Sequence, residues 1–320
     1  MADKVVAYLD LLGFSNAVNT DPDGAVMMLQ GQASALEDAI VDEMLHPASS
    51  YPDSAIQLLA EAGLATSFET FLPMSDSVFI TSSDPNLFVR QLSHLLVSQF
   101  DFRLSAFANP ESSGDPRQVT MRSVEVVGGA AQVSTRQASW WPILYRGGVT
   151  YGDVQLLKMP AISSVGKTLP NLAGKAVVES VGLEKLAGKG PRLACTEAFA
   201  KLVTGGAADF IEPTPTPQVP GQREILWPMA MFADSTGPED AFQNPLHEWL
   251  TGAINLWCHF ATGSIGVHYL EFIDLTIRSF QKRWPQAKQI WPHMESLPNR
   301  LTSLRPSRDD ALQMAFGSTP

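Results

Sequence analysis

Cysteine is nearly absent from this chain of 320 residues, which contains only Cys195 and Cys258. The two lie far apart in apolar stretches, so neither a disulfide framework nor a zinc site is indicated. We expect two unreactive core thiols in a reducing cytoplasm.

Basic residues are also scarce: 22 Lys and Arg stand against 33 Asp and Glu, which gives a formal charge of −11. Sequence-independent binding to nucleic acid or to an anionic membrane requires a basic face. The charge balance therefore argues against both partners. Any phosphate that the protein handles must be bound locally, by metal ions and a few basic side chains.

The sequence has no apolar run suited to a single membrane span. Residues 249–270 (WLTGAINLWCHFATGSIGVHYL) have no Asp, Glu, Lys or Arg, but they include three glycines, two histidines and an asparagine. This stretch is too polar to cross a bilayer without partner helices. We predict a buried helix or helix pair there, and no signal peptide at the N-terminus (MADKVVAYLD), where the apolar segment is too short.

Strand and helix patterns alternate along the chain, and a hydrophobic content of 45% can fill a sizeable core. Periodicity predicts strands at 3–9, 67–83 (a hairpin turning at Pro73–Ser75) and 143–158 (strand, glycine turn, strand). It predicts helices at 23–45, 85–100, 174–188 and beyond about residue 240, with loops at 109–118 and 213–221.

This order of elements predicts a ferredoxin-like α+β fold, in which helices cover one face of a palm-type antiparallel sheet. We predict a main domain over residues 1–235. Residues 236–320 would form a helical C-terminal extension, packed on the main domain or at a dimer interface.

Two aspartates stand out in this layout. Asp10 follows the apolar strand VVAYL, and Asp76 lies in the hairpin PMSDSVFI. Each is open to a plainer interpretation, as a turn or capping residue. In a ferredoxin-like sheet, however, the end of the first strand lies beside the hairpin, and two adjacent carboxylates repel unless a cation lies between them. Mg²⁺ or Mn²⁺, which prefer oxygen ligands, would make this a two-metal site for phosphoryl transfer.

Three motifs, in this order, resemble those of class III nucleotidyl cyclases. YLDLLGFS (8–15) resembles the first metal motif, MSDSVFI (74–80) the second, and YRGGVTYGD (145–153) the strand R-x-G-x-x-x-G. Together with AGKAVVESVGLE (173–184), their spacing is most similar to the pyrimidine cyclases of bacterial antiphage Pycsar systems, which make cyclic UMP or cyclic CMP. The resemblance covers roughly residues 3–195 and rests on the order of the motifs.

The resemblance implies that Asp10 and Asp76 bind two Mn²⁺ or Mg²⁺ ions, with the backbone carbonyl of Leu11 as a further ligand. It also implies a small anion-binding turn whose N–H groups face the triphosphate, formed by Gly13, Phe14 and Ser15. Arg146 would hold a terminal phosphate, and its glycine neighbours, at 147 and 148, would leave room for a ligand. The alternative for Arg146 is a surface arginine at a strand end.

The sequence departs from the purine cyclases at the positions that contact the base and the ribose. Leu72 replaces the Lys or Glu that reads a purine. Val178 and Gly182 occupy the positions of the residues for ribose and for transition-state charge, so those roles are absent or moved; Lys175, Lys185 and Lys189 are candidates. Two residues are candidate base readers, Asn171 by alignment and Tyr51 in the loop SSYPDS.

With these departures, the resemblance implies a cytoplasmic homodimeric cyclase that converts UTP, in preference to CTP, into 3',5'-cyclic UMP and pyrophosphate. Its role would be antiphage defence through a separate effector that responds to the cyclic nucleotide. The alternatives are a cytidylate cyclase, a purine or broad-specificity cyclase and, from another class, a non-catalytic regulatory domain that binds nucleotides.

Overall fold

The structure is a computed structural model that describes residues 2–32, 66–108, 117–127, 130–140, 142–160, 168–260 and 265–317. Its strands, in chain order, are β1 (Ala2–Leu11), β2 (Phe68–Met74), β3 (Ser77–Ser82), β4 (Arg117–Val127), β5 (Ala130–Trp140), β6 (Tyr145–Pro160), β7 (Thr168–Ala173), β8 (Leu193–Cys195), β9 (Ile211–Pro213) and β10 (Arg223–Ile225). Its α-helices are α1 (Phe14–Thr20), α2 (described over 22–32), α3 (Pro85–Ala108), α4 (Lys175–Leu186), α5 (Glu197–Leu202), α6 (Pro238–Ala241), α7 (His247–Phe260), α8 (Gly266–Arg283), α9 (Ala287–Ile290), α10 (Leu297–Leu304) and α11 (Arg308–Phe316).

Most of the strands form one eight-stranded sheet in the order β2-β3-β1-β6-β8-β10-β9, and β7 pairs with the far part of β6. Neighbouring strands are antiparallel except β6 and β8. The order β2-β3-β1-β6, with helices after β1 and β3, is that of a ferredoxin-like fold. The predicted fold class is therefore confirmed. β4 and β5 form a separate two-stranded hairpin between α3 and β6.

The hairpin predicted at 67–83 is present, but its turn begins two residues later than expected. Met74 pairs with Ser77 across β2 and β3, so the turn consists of Ser75, with a φ of 62°, and Asp76. Pro73 belongs to β2 instead of the turn. A strand can hold a proline at this place because β2 is the edge of the sheet, where a missing N–H removes no ladder bond.

Several other predicted elements can be compared with the structure. The helices predicted at 85–100 and 174–188 are α3 and α4, and the predicted loop at 213–221 separates β9 from β10 with mostly exposed residues. The helix predicted at 23–45 is described only to residue 32, where it is helical. Of the loop predicted at 109–118, residues 117 and 118 belong to β4 and the rest lies outside the described residues.

The segment 143–158 does not turn at its glycines, which corrects the sequence prediction. β6 runs without a break from Tyr145 to Pro160. Gly147 and Gly148 are buried, and the space beside them is filled by protein instead of being open to a ligand. A Cβ at Gly148 would lie 2.1 Å from the carbonyl oxygen of Ser180, so this glycine allows α4 to pack directly on β6. The helix therefore covers the sheet face opposite α3, so helices pack on both faces of the sheet and not on one face as predicted.

Replacing Gly148 with alanine is expected to displace α4. The new Cβ meets backbone atoms of the helix, which cannot rotate away. We expect a loss of about 3 kcal/mol in the free energy of unfolding, the upper range for overpacked sites.

The control is Gly182→Ala, since a Cβ at Gly182 meets nothing within 4 Å. In that case the better helix propensity of alanine predicts a gain of about 0.5–1 kcal/mol. Urea titration measures both; equal stabilities would contradict the packing account.

One hydrophobic core joins the sheet to the C-terminal helices. Phe100 of α3 contacts Trp249 and Phe272, with ring centroids 4.9 and 4.7 Å apart. Of the segment 249–270, predicted to be a buried helix or helix pair, residues 249–260 belong to α7 and 266–270 to α8, and both helices are largely buried. Among the residues that the structure describes, no helix has the length and apolar character needed to cross a bilayer. The domain boundary at 235 stays a prediction.

A buried network of charges also ties the C-terminal helices to the sheet. Glu224 of β10, whose side chain is 2% exposed, bonds to Arg192 before β8 and to Arg278 of α8, each at 2.8 Å. Burial by itself lowers the pKa of Arg278, but the carboxylates of Glu224, Asp274 and Glu212 outweigh it and raise the pKa. The charge of Glu224 also helps to raise the pKa of Arg192, so both arginines are charged. Their shared carboxylate links α8 to β10 and to the residue before β8.

Candidate active site

Asp10 lies near the end of β1, on the face opposite the main core. Alternation along β1 sends Val5, Ala7 and Leu9 into the core beside α3, while Tyr8 and Asp10 point to the face that carries α4. The register places Asp10 opposite Ser77 on β3 and opposite Arg146 on β6. The half-buried carboxylate thus lies between two neighbouring strands that both contribute polar side chains.

Asp76 is brought to the same end of the sheet by the β2–β3 turn. The backbone N–H of Leu11 donates to the carbonyl oxygen of Asp76 at 2.9 Å, immediately beyond Asp10. This bond connects the end of β1 to the turn, so the two aspartates lie side by side although 66 positions separate them in the sequence.

The carboxylate of Asp10 is held by the neighbouring strand. The hydroxyl of Ser77 donates to Asp10 Oδ1 at 2.9 Å, and Ser77 Oγ also lies 2.9 Å from the Tyr8 hydroxyl. Burial raises the pKa of Asp10, and the nearby charges of Glu184 and Asp76 raise it further, against the opposing effects of Ser77 and Arg146. A cation would relieve this concentration of negative charge.

Glu184 is a site residue that the sequence reasoning missed. It lies on α4, its side chain is buried, and its Oε1 accepts from Arg146 Nε at 2.5 Å. Arg146 Nη1 also donates to the carbonyl oxygen of Gly188 at 3.4 Å. The signal was available: Ala176, Ser180 and Glu184 repeat every four residues on one face of the helix, and the first two are small. That face packs on the sheet, so a glutamate in the same row must be buried and needs a positive partner.

The donor set fits a divalent ion of the Mg²⁺ or Mn²⁺ type. Asp10 and Asp76 would supply carboxylate oxygens, and Leu11, which follows Asp10 and bonds to Asp76 through its N–H, would add its backbone carbonyl. In the described part of the chain, no group of three or more His, Cys, Asp and Glu side chains is arranged to hold a metal. Mg²⁺ commonly binds through one or two carboxylates and completes its shell with water and phosphate oxygens.

The other predicted site residues lie at different distances from Asp10. The turn that follows β1 contains Gly13, with a φ of 82°, and leads into α1, where Phe14 packs on the core and Ser15 is exposed. Asn171 lies on β7 opposite Leu157, eleven positions along β6 from Arg146. At about 3.3 Å per residue, this is roughly 36 Å along the strand. Within one chain, Asn171 cannot reach Asp10. Tyr51 lies outside the described residues.

The positions at which purine cyclases carry specific side chains are filled differently here. Leu72 is 8% exposed and belongs to the apolar cluster beside α4. Val178 on α4 is 73% exposed, and a Cβ added at Gly182 would meet no heavy atom within 4 Å. Lys175, one of the candidate substitutes, pairs with Glu179 at 3.5 Å on the helix surface.

Comparison with known proteins gives few matches. No protein-family model and no curated protein matches the sequence. Among solved structures, adenylate cyclases from Trypanosoma brucei in their monomeric state match at a TM-score of 0.39 with 12% identity, over 70% of this chain and 87% of that one. The guanylyl cyclase Cya2 matches at 0.40 with 10% identity, over 70% of this chain and 92% of that one. Likenesses this distant carry no weight for function, which has to be argued from the residues.

Proposed function

We propose that this protein is a metal-dependent nucleotide cyclase. The observation that carries the proposal is the backbone hydrogen bond from Leu11 to Asp76, which puts two carboxylates at one end of the sheet. An acidic pair beside Arg146 suits a triphosphate with bound divalent ions. When bound, two Mn²⁺ or Mg²⁺ ions would make the ribose 3'-hydroxyl more acidic and neutralise charge on the departing pyrophosphate.

The chain's own residues would then orient the reaction. Asp10, fixed by Ser77, and Asp76 would hold the ions, and the turn from Gly13 to Ser15 would position the triphosphate chain. Arg146 would contact a terminal phosphate. The 3'-oxygen forms a bond to the α-phosphorus, while the bond from the α-phosphorus to the oxygen that bridges it to the β-phosphorus breaks. Pyrophosphate leaves, and the proton of the 3'-hydroxyl passes to solvent. No protein base is assigned.

The substrate we favour is UTP, which would give 3',5'-cyclic UMP as a signal in antiphage defence, read by a separate cyclic-nucleotide-responsive effector in the cytoplasm. Support comes from Asn171, whose Oδ1 accepts the N–H of Leu172 at 2.8 Å. With its carbonyl oxygen engaged locally, the amide has its NH₂ group to offer. That donor matches O4 of uracil, whereas cytosine presents an amine at the same place.

We further propose that the active unit is a homodimer with sites shared between two chains. The separation of Asn171 from Asp10 supports this, because a head-to-tail pair related by a two-fold axis would bring each Asn171 to the partner's Asp10. The β4–β5 hairpin also supports it. Its strands pair with no other strand among the described residues, and an isolated two-stranded hairpin is marginally stable without a surface to pack on.

A shared site predicts complementation between inactive chains. We mix Asp10→Ala chains with chains inactivated by Asn171→Ala, let the subunits exchange, and measure cyclic nucleotide. Each mixed dimer would retain one intact site, since both defects fall in the other one. Activity should recover to about a quarter of wild type, because half of randomly mixed dimers are mixed and each has one working site. Exchanged subunits without any recovery would mean that each site is built within one chain.

The base-reading role of Asn171 is tested by Asn171→Asp. A carboxylate has acceptors only, so it would face O4 of uracil with like partial charge but could still accept from the cytosine amine. We expect UTP turnover to fall more than CTP turnover, by about 1–3 kcal/mol in relative kcat/KM. Competing the two triphosphates at saturating Mn²⁺ measures the ratio of products. An unchanged ratio would remove Asn171 as the reader and favour Tyr51.

The proposal as a whole is tested with ATP, GTP, CTP and UTP, each with Mn²⁺, and products identified by mass spectrometry. A uridylate cyclase gives mainly cyclic UMP. Cyclic CMP as the main product would make the protein a cytidylate cyclase, and purine products would make it a purine or broad-specificity enzyme. Triphosphate binding without any cyclic product would instead indicate a regulatory nucleotide-binding domain.

A further inference from the structure

Glu184 is a buried acid that the proposed reaction does not use. Its side chain is 6% exposed and lies on the face of α4 that packs on the sheet. A buried carboxylate left without a positive partner would be strongly destabilising. Arg146 supplies that partner: both its Nε and its Nη2 contact Glu184 Oε1.

This ion pair restricts the conformations of the Arg146 side chain. The guanidinium is held at Nε and Nη2 by Glu184, and Nη1 donates to the carbonyl oxygen of Gly188, just after α4. A surface arginine loses the freedom of several rotatable bonds when it binds a phosphate. For Arg146, contacts with α4 and with the loop after it have already fixed the side chain in place.

The fixed guanidinium lies beside the acidic pair. Arg146 and Asp10 are register partners on β6 and β1, so their side chains share a face, and the charge of Arg146 acts on the carboxylate of Asp10. The close approach of α4 at Gly148, two residues further along β6, sets the distance at which Glu184 reaches the arginine. Arg146 is still 25% exposed, so part of it is open to a ligand.

From this arrangement we propose that Glu184 is a positioning residue, which orients the guanidinium of Arg146 toward the phosphates of a nucleoside triphosphate. The inference rests on the proposed function for its ligand. Glu184 itself touches no substrate; it acts through Arg146. The opposite role would be competition, in which Glu184 occupies the arginine and weakens phosphate binding by its negative charge.

The two roles predict opposite signs for the same variants. We measure the Kd of inorganic triphosphate by calorimetry in the presence of Mn²⁺, for wild type, Glu184→Gln and Glu184→Asp. If Glu184 positions the arginine, both variants bind triphosphate more weakly, by roughly tenfold, which is the cost of immobilising one long side chain. If Glu184 competes, removal of its charge in Glu184→Gln tightens binding, and the proposal is overturned.

A double-mutant cycle shows whether the effect passes through Arg146. In an Arg146→Met background, Glu184→Gln should change the Kd by less than about twofold, since no guanidinium remains to be oriented. A full tenfold loss in that background would overturn the proposal. Glu179→Gln is the matched control on the same helix, because the Glu179 side chain is 41% exposed and pairs with Lys175 on the helix surface. It should leave the Kd unchanged.

Folding and activity are checked separately. Glu184→Asp keeps the negative charge beside Arg146 on a shorter side chain, which cannot hold the guanidinium in the same position, so it remains informative if Glu184→Gln melts at a much lower temperature. With UTP, a positioning role raises KM in both variants by the same factor as the Kd. If the wild-type protein binds triphosphate but makes no cyclic product, the proposed function is refuted. The double-mutant cycle would still test the role of Glu184, because it measures the Kd of triphosphate. Wild-type protein that binds no triphosphate would overturn both.

Discussion

Asp10→Asn is expected to abolish cyclic nucleotide formation while the protein stays folded. Asparagine keeps the size of the side chain and can still accept from Ser77, but it no longer offers a charged oxygen to a divalent ion. We expect kcat to fall by roughly a thousandfold or more, which corresponds to the several kcal/mol of charge stabilisation that a bound metal supplies. Asp76→Asn should behave in the same way.

The same substitution should not destabilise the metal-free protein. Burial and the charges of Glu184 and Asp76 raise the pKa of Asp10, so its ionised form is less favourable in the folded chain than in the unfolded one. That cost is present at neutral pH and disappears with the charge. The Tm of Asp10→Asn without metal should equal or exceed that of wild type.

Asp3→Asn, an exposed change on the same strand, is the control and should retain activity. A fully active Asp76→Asn protein would contradict the metal assignment.

Glu224→Gln is expected to destabilise the whole chain. The neutral amide would leave Arg192 and Arg278 facing each other without the carboxylate that both contact. Breaking a buried ion pair costs about 3–5 kcal/mol, and we expect about 3 because Glu271, Asp274 and Glu212 remain beside the arginines. Urea unfolding measures the loss. Because Arg278 belongs to α8, this loss would show that the C-terminal helices are part of the same cooperative unit.

The matched control for Glu224→Gln is Glu295→Gln. Glu295 pairs with Lys288 at 3.8 Å, and the two side chains are 69% and 55% exposed. A surface pair of this kind contributes about 0–1 kcal/mol, so the control should be almost as stable as wild type. Similar losses in the two variants would contradict the account of a buried network. Loss of the C-terminal helices alone, with the sheet still folded, would instead support the predicted boundary at residue 235.

The sequence predicts the centre of the fold because local patterns determine it. Alternating apolar residues in β1 show which side chains enter the core, and the apolar row of α3 shows which face packs on the sheet. The placement of Asp10 beside Asp76 follows from strand order, which the ferredoxin-like pattern supplies. These features depend on spacing within one element or on a known order of elements.

The remaining features depend on contacts between distant elements, which spacing does not show. The sequence predicts a turn with room for a ligand at Gly147 and Gly148, but a Cβ at Gly148 would meet α4 and a Cβ at Gly147 would meet the carbonyl oxygen of Tyr8 on the neighbouring strand. It also predicts Pro73 in a turn, because spacing does not show that β2 is an edge strand. The network around Glu224 joins residues from three separate parts of the chain, and no local pattern connects them.

The central claim is that this site joins the 3'-oxygen to the α-phosphorus, and the most direct test compares UTP with 3'-deoxy-UTP at saturating Mn²⁺. Pyrophosphate and cyclic product are measured together. We predict that UTP yields pyrophosphate and cyclic UMP in equal amounts, and that 3'-deoxy-UTP binds but releases no pyrophosphate, because it lacks the attacking hydroxyl. Pyrophosphate release from both nucleotides at the same rate, or cyclic product from neither UTP nor any other triphosphate, would contradict the claim.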